Sequence, residues 1–248
     1  MENLLAHPKA LILALLGGVI PALLWLWFWL KEGKSRCEPK SLLSIIFGIG
    51  MLSVFFVLPI QQYIQSHIFD HTWRVILWAA SEEAIKFLAA IIILYGSKYT
   101  DDPIDWPIFL ITAALGFAAL ENTLFLIKPF SLEQTTVSLL TGHLRFLGST
   151  LLHTVSSGAI GIAMGLSFGM SAFAKKMYLI IGFAVAIALH SAFNFLIIKN
   201  DGGDFLKTFA FLWVVTIIVM LLMEKLRRMS KSEEEAEEAT LDTLAGIN

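Results

Sequence analysis

Two adjacent carboxylates and an amine sit where an apolar helix should carry no charge. The run Trp78-Ala-Ala-Ser-Glu82-Glu83-Ala-Ile-Lys86-Phe-Leu88 is flanked on both sides by hydrophobic residues. Each charge at the centre of a membrane helix costs about 2.5–3.5 kcal/mol on the insertion scale, so three cost on the order of 8–10 kcal/mol. Such a cost is borne when the groups face one another or a wet cavity inside a bundle. Lys86 is three residues from Glu83 and four from Glu82, so either carboxylate reaches it on one helical face. Further polar residues interrupt later apolar runs: Glu121 and Asn122, then His153 among Ser149, Thr150, Ser156 and Ser157, then His190 and Asn194 one helical turn apart. Taken singly, an intramembrane His or Asn is most often an interhelical hydrogen-bond partner.

Together they are the parts for activating water. An apolar chamber disfavours an ionised carboxylate and so suits it to accept and return a proton, whereas Lys86 favours the ionised form. One member of the pair is therefore expected to be held by Lys86 while the other moves the proton, with Glu83 the preferred base. Two mechanisms remain open. In one, Glu121, His153 and His190 bind Zn²⁺ with an open fourth position and a glutamate of the pair deprotonates the bound water. In the other no metal takes part: Glu82 and Glu83 activate water directly, and His190 and Asn194 position it and stabilise the oxyanion. The His-Glu-x-x-His spacing of many zinc proteases is absent from the chain.

The elements that must position these residues are apolar helices. Of 248 residues, 57% are hydrophobic and 15% charged, and the mean hydropathy is +0.75; a soluble domain carries about 25% charged residues. Seven helices are expected, at about 9–30, 41–63, 73–97, 104–127, 143–171, 177–198 and 205–227. Eleven basic residues fall on one side of this arrangement and six on the other, and the excess marks the cytoplasmic face. The N-terminus is thus expected outside and the C-terminus inside. At 1.5 Å per residue, Glu82, Glu121, His153 and His190 lie about 9–14 Å below the outer ends of their helices, which places them at one level. The expectation is a polar chamber in the outer half of the bilayer, walled by the third to sixth helices.

Residues 1–228 then form a single transmembrane domain with its catalytic core at about 73–198, and 229–248 form an acidic cytoplasmic tail, expected to be disordered or at most helical. Gly158, Gly161, Gly165 and Gly169 line one helix face and are expected to serve packing. The single cysteine, Cys37, excludes an internal disulfide or a thiolate cluster, and the net charge of −2, with no basic patch, gives no sign of nucleic-acid binding. His67 and His71, four apart in a short external connection, are discounted as a metal site.

Glu82-Glu83-x-x-Lys86, Phe117-x-x-x-Glu121-Asn122, His153 and His190-x-x-x-Asn194, taken in this order, resemble the PrsW family of intramembrane proteases, related to the CAAX prenyl protease and bacteriocin-immunity group. The likeness runs from about Trp78 to Phe195 and includes Asp102-Pro103-Ile104-Asp105. It implies a polytopic protease of a prokaryotic cell membrane that cuts a membrane-anchored substrate near the outer face, for example an anti-sigma factor. Glu82 and Glu83 match the paired catalytic glutamates, and His153 and His190 the two essential histidines. The CAAX group carries an arginine one place beyond Lys86 and a histidine where Glu121 stands, departures that argue against a prenyl-protein substrate. The alternatives are a proton- or cation-coupled transporter, and a scaffold or immunity protein whose polar residues only lock helices together. Transporters often show internal repeats and broken helices at the site, and the sequence has neither.

Overall fold

A computed structural model describes residues 8–32, 39–95, 97–132, 145–199 and 205–245. Within them the chain is helical, and no strand occurs. The helices are α1 (Pro8–Glu32), α2 (Lys40–His67), α3 (His71–Leu94), α4 (Asp105–Ser131), α5 (Thr150–Leu166), α6 (Ala172–Lys199) and α7 (Phe205–Ala245), with a π-helical turn at Arg145–Ser149 leading into α5. Six of the seven are long and apolar enough to cross a membrane. The exception is α3, which has the length, 24 residues, but carries Glu82, Glu83 and Lys86 at its centre. Exposed leucine, isoleucine and phenylalanine side chains such as Leu24, Phe56, Ile92, Ile217 and Leu221 cover the outside of the bundle. An exterior of that kind suits hydrocarbon rather than water.

The ends of the helices follow local chemistry. Asp70 caps α3 by accepting from the Trp73 backbone N–H at 2.9 Å. Asp105 Oδ2 accepts from Asp102 N at 2.8 Å and Asp102 Oδ1 from Ile104 N at 3.3 Å, which closes the turn into α4. Ser230 of α7 donates to the other Asp102 oxygen. The fifth helix is shorter than the apolar run suggests, because its first turn is π-helical and the chain leaves the helix after Leu166. The seventh is longer. Its backbone remains helical to Ala245, since strong helix formers such as Glu, Ala, Lys and Leu extend a helix already nucleated by a packed span. Cys37 and residues 133–144, between α4 and the π-helical turn, lie outside the described residues.

The two most enclosed elements are α4 and α5, and α1, α2 and α5 all pack against α4. Glycines permit that approach. A Cβ on Gly18 would strike Ala119 O and Thr123, one on Gly50 would strike Ala113 O, and one on Gly116 would strike Phe47 O. On α5, Gly161 lies against Pro107 and Gly165 against Pro103 O, while Gly158 packs on Ile111. Gly169 has nothing within 4 Å; it lies beyond the end of α5 and is not part of the packed stripe. Small residues at these crossings bring backbones together where lipid offers no hydrophobic drive. Helices α2, α3, α6, α5 and α4 each touch the next and close a ring. The site lies inside it.

Candidate active site

Neighbouring positions on a helix point about 100° apart, so Glu82 and Glu83 meet different sets of partners, with only His190 reached by both. Glu83 is fully buried. Its Oε1 lies 2.6 Å from Lys86 Nζ and 2.7 Å from His190 Nδ1, and its Oε2 accepts from Ser157 Oγ at 2.7 Å. Glu82 turns instead toward α2 and the cavity. Its Oε1 accepts from Gln61 Nε2 at 2.7 Å, and its Oε2 is sealed from solvent with no hydrogen-bond partner among the described residues. Lys86 is therefore committed to Glu83, and Glu83 is the held member of the pair. That reverses the expected division, in which Glu83 moved the proton: both its oxygens already accept hydrogen bonds, and it does not line the cavity.

Around the open oxygen of Glu82 the two imidazoles converge. His190 Nε2 lies 3.5 Å from Glu82 Oε2 and His153 Nδ1 lies 3.8 Å from it, and the two rings stand edge to face with centroids 5.2 Å apart. Each ring has a carboxylate behind it. His190 Nδ1 faces Glu83 Oε1, which makes Nδ1 the donor and leaves the Nε2 lone pair toward Glu82. His153 Nε2 lies 3.1 Å from Glu121 Oε2, and Lys86 Nζ approaches His153 Nδ1 at 3.1 Å. The Lys86 ammonium also lies 5.2 Å from the Phe117 ring.

Carboxylate-backed imidazoles converging on an unpartnered carboxylate oxygen are a donor set suited to a metal ion. One donor atom each from Glu82, His153 and His190 falls within 4.8 Å of the others. The trio differs from the expected Glu121, His153 and His190. Glu121 contacts His153 alone of the two imidazoles, and the oxygen it uses is shared with Arg145 and Ser149. The residues present fit an ion on one condition: the hydrogen bond from Lys86 to His153 Nδ1 occupies a lone pair the ion would need, so that bond has to yield.

A cavity of about 590 Å³ adjoins the trio. Glu82, Glu121, His153, His190 and Asn194 all line it, with apolar walls from Val57, Leu58, Phe125, Leu152 and Ile197. The seven residues singled out by type and spacing thus lie in one chamber or directly behind it, Glu83 and Lys86 being the two behind.

Three participants escape a reading by residue type. Gln61, on α2, orients Glu82, and Trp78 Nε1 donates to the Gln61 carbonyl at 3.3 Å. A glutamine in the run Pro59-Ile-Gln-Gln-Tyr63 is the same breach of hydrophobicity that exposes the glutamates, although its register toward α3 is not visible in sequence. Ser157 stands out only as a neighbour of His153. Arg145, which belongs to the smaller group of six basic residues expected on the outer side, enters the chamber wall: Nε donates to Asn122 Oδ1 at 2.6 Å and Nη2 to Glu121 and to Ser149 Oγ, the latter at 3.1 Å. Asn122 Nδ2 in turn donates to Thr150 Oγ1 at 2.8 Å. His67 and His71 stay apart from the site; His67 stacks on Tyr63 at 4.1 Å, and His71 lies 6.4 Å from Phe195.

A family model described as PrsW family intramembrane metalloprotease matches residues 38–223. Proteins named Protease PrsW are similar over most of the chain. The one from Shouchella clausii is 27% identical over 223 residues, covering 87% of this chain and 96% of the relative. That from Geobacillus kaustophilus is 27% identical over 190 residues, covering 74% and 79%. That from Bacillus subtilis is 26% identical over 206 residues, covering 79% and 88%. No solved structure matches the chain.

Proposed function

The chain belongs to the PrsW family of intramembrane metalloproteases, and on that premise we propose that the chamber ringed by α2 to α6 is where a membrane-anchored protein substrate is hydrolysed, near the outer face of the membrane. The protein is an enzyme of a bacterial cell membrane. A transporter or an inert scaffold is not needed to account for its buried charges. The observation that carries the reading is the unpartnered Oε2 of Glu82, 3.5 and 3.8 Å from two imidazole nitrogens at the edge of the cavity. An anti-sigma factor is the substrate type suggested by the family resemblance. The excess of basic residues on one side supports a chamber in the outer half of the bilayer with the C-terminus inside and α3 as a seventh span. Residues 1–228 act as one transmembrane unit with a core at 73–198, and 229–248 as its appendage.

Glu82, His153 and His190 are the residues that would hold zinc. When bound, such an ion polarises a carbonyl and makes water a nucleophile near neutral pH. Glu83 fixes the His190 tautomer by accepting from Nδ1, and Ser157 and Lys86 keep Glu83 in place. Glu121 aligns His153 in the same way. With Glu82 among the residues that would hold the ion, Glu121 is the remaining carboxylate on the cavity wall, and its Oε1, the oxygen not engaged by Arg145, Ser149 and His153, would accept the proton of the attacking water. Asn194, on the same wall one turn beyond His190, orients the peptide. Paired glutamates thus remain central, with distinct duties: Glu82 at the reacting centre and Glu83 behind it.

The test is cleavage of a co-expressed single-span substrate. Glu82→Ala, Glu83→Ala, His153→Ala and His190→Ala are each expected to abolish cleavage while the protein still accumulates in the membrane. Full cleavage by the Glu82 or His190 variant overturns the assignment.

A further inference from the structure

The guanidinium of Arg145 occupies the wall of the same cavity, and its plane is fixed from several directions. Nε bonds Asn122 at 2.6 Å, Nη2 bonds Glu121 and Ser149, and the head group lies 3.9 Å from the Phe125 ring centroid. Glu121, Asn122 and Phe125 belong to α4, whereas Arg145 opens the π turn before α5, so the head group bridges two helices. A guanidinium has five N–H donors. The two on Nη1 have no partner among the described residues, and Nη1 is not among the sealed, unsatisfied atoms, which leaves the pair accessible. One carboxylate oxygen links this group to the trio: Glu121 Oε2 contacts both Arg145 Nη2 and His153 Nε2. Holding Glu121 takes only Nη2, and holding Asn122 only Nε. A permanently charged group held flat with two spare donors is suited to an oxygen that becomes negative during the reaction.

We infer that Arg145 is a catalytic residue that donates from Nη1 to the carbonyl oxygen of the peptide bond being cut, an inference that rests on the hydrolase reading above. Hydrolysis forms a bond from the water oxygen to the carbonyl carbon and breaks the C–N bond. One water proton ends on the leaving amine, and the other stays with the new carboxyl group. The carbonyl oxygen carries negative charge between these events, and Arg145 neither gains nor loses a proton.

The full-length protein, purified and supplied with a single-span peptide that the wild type cleaves, decides the matter. Arg145→Ala is expected to lower kcat about 10²- to 10³-fold, the scale of losing one oxyanion donor, with KM within about twofold of wild type. Guanidinium ion added at millimolar concentration is expected to restore part of the lost kcat, which a purely structural role would not allow. Arg145→Lys keeps a cation beside Glu121 but lacks the fork; it is expected to fold and to lose kcat as well, and it decides alone if the alanine variant does not accumulate. Wild-type kcat in Arg145→Lys, or a loss in Arg145→Ala that guanidinium leaves untouched, overturns the inference. Sensitivity of the same wild-type assay to Glu82→Ala separates failure of this inference from failure of the hydrolase reading, because activity that survives Glu82→Ala condemns the reading itself.

Discussion

At the scale of single residues, two neighbouring glutamates have opposite surroundings. Glu83 is held at both oxygens by Lys86, His190 and Ser157, whereas Glu82 keeps one oxygen open. Gln61 enforces that asymmetry by taking the other Glu82 oxygen at 2.7 Å. Hydrogen bonds to ligating carboxylates typically alter metal affinity or activity about 10- to 100-fold. Gln61→Leu is accordingly expected to weaken zinc binding, measured by competition with a chromophoric chelator, by about that factor. Gln62→Leu, at an exposed neighbour, is expected to leave the affinity unchanged, and equal affinities for both variants would remove Gln61 from the site. The site residues themselves were legible in sequence because each breaks an apolar run. Which oxygen meets which nitrogen was not, since that depends on helix rotation: a turn of one residue, about 100°, exchanges the roles of Glu82 and Glu83. For the same reason Glu121 looked like a ligand, and Arg145, near a helix end, looked like a surface charge.

At the scale of elements, α4 brings the halves of the site together, and glycines set its distance from its neighbours. Gly161 meets Pro107 and Gly116 meets Phe47 O, in each case too closely for a Cβ. Overpacking of this kind costs about 1–3 kcal/mol. Gly161→Leu is expected to lower thermal stability in detergent by that amount and to reduce cleavage through displacement of His153 on α5. A variant of wild-type stability and activity would mean that the α4–α5 crossing does not position the site. Gly169→Leu, with nothing within 4 Å, is the control expected to do neither. The stripe was readable from small residues at helical spacing, but its partner helix was not, because the same spacing serves any neighbour. Helix boundaries were least legible where charge ends an apolar run without ending the helix: α7 continues through its charged residues to Ala245, and α5 is preceded by a π turn that opens on Arg145. Such turns recur at functional sites, and this one carries Arg145 and Ser149 to Glu121.

At the scale of the whole molecule, an apolar exterior surrounds a chamber whose buried charges all neighbour one another. This is the arrangement under which ionisable groups persist in hydrocarbon. From the distribution of basic residues, a reporter fused after Asn248 is expected to register in the cytoplasm; an external signal would invert the chamber to the inner half of the bilayer. If Glu82, His153 and His190 form one hydrolytic metal centre, X-ray absorption at the zinc edge of the purified, active protein registers all three ligands at once. The expected result is about one zinc per chain with two imidazole nitrogens at about 2.0–2.1 Å and carboxylate oxygen at about 2.0–2.2 Å, with the nitrogen signal reduced in His190→Ala and activity lost on chelation. Undiminished cleavage by protein stripped of zinc, or a nitrogen shell unchanged in His190→Ala, would contradict it.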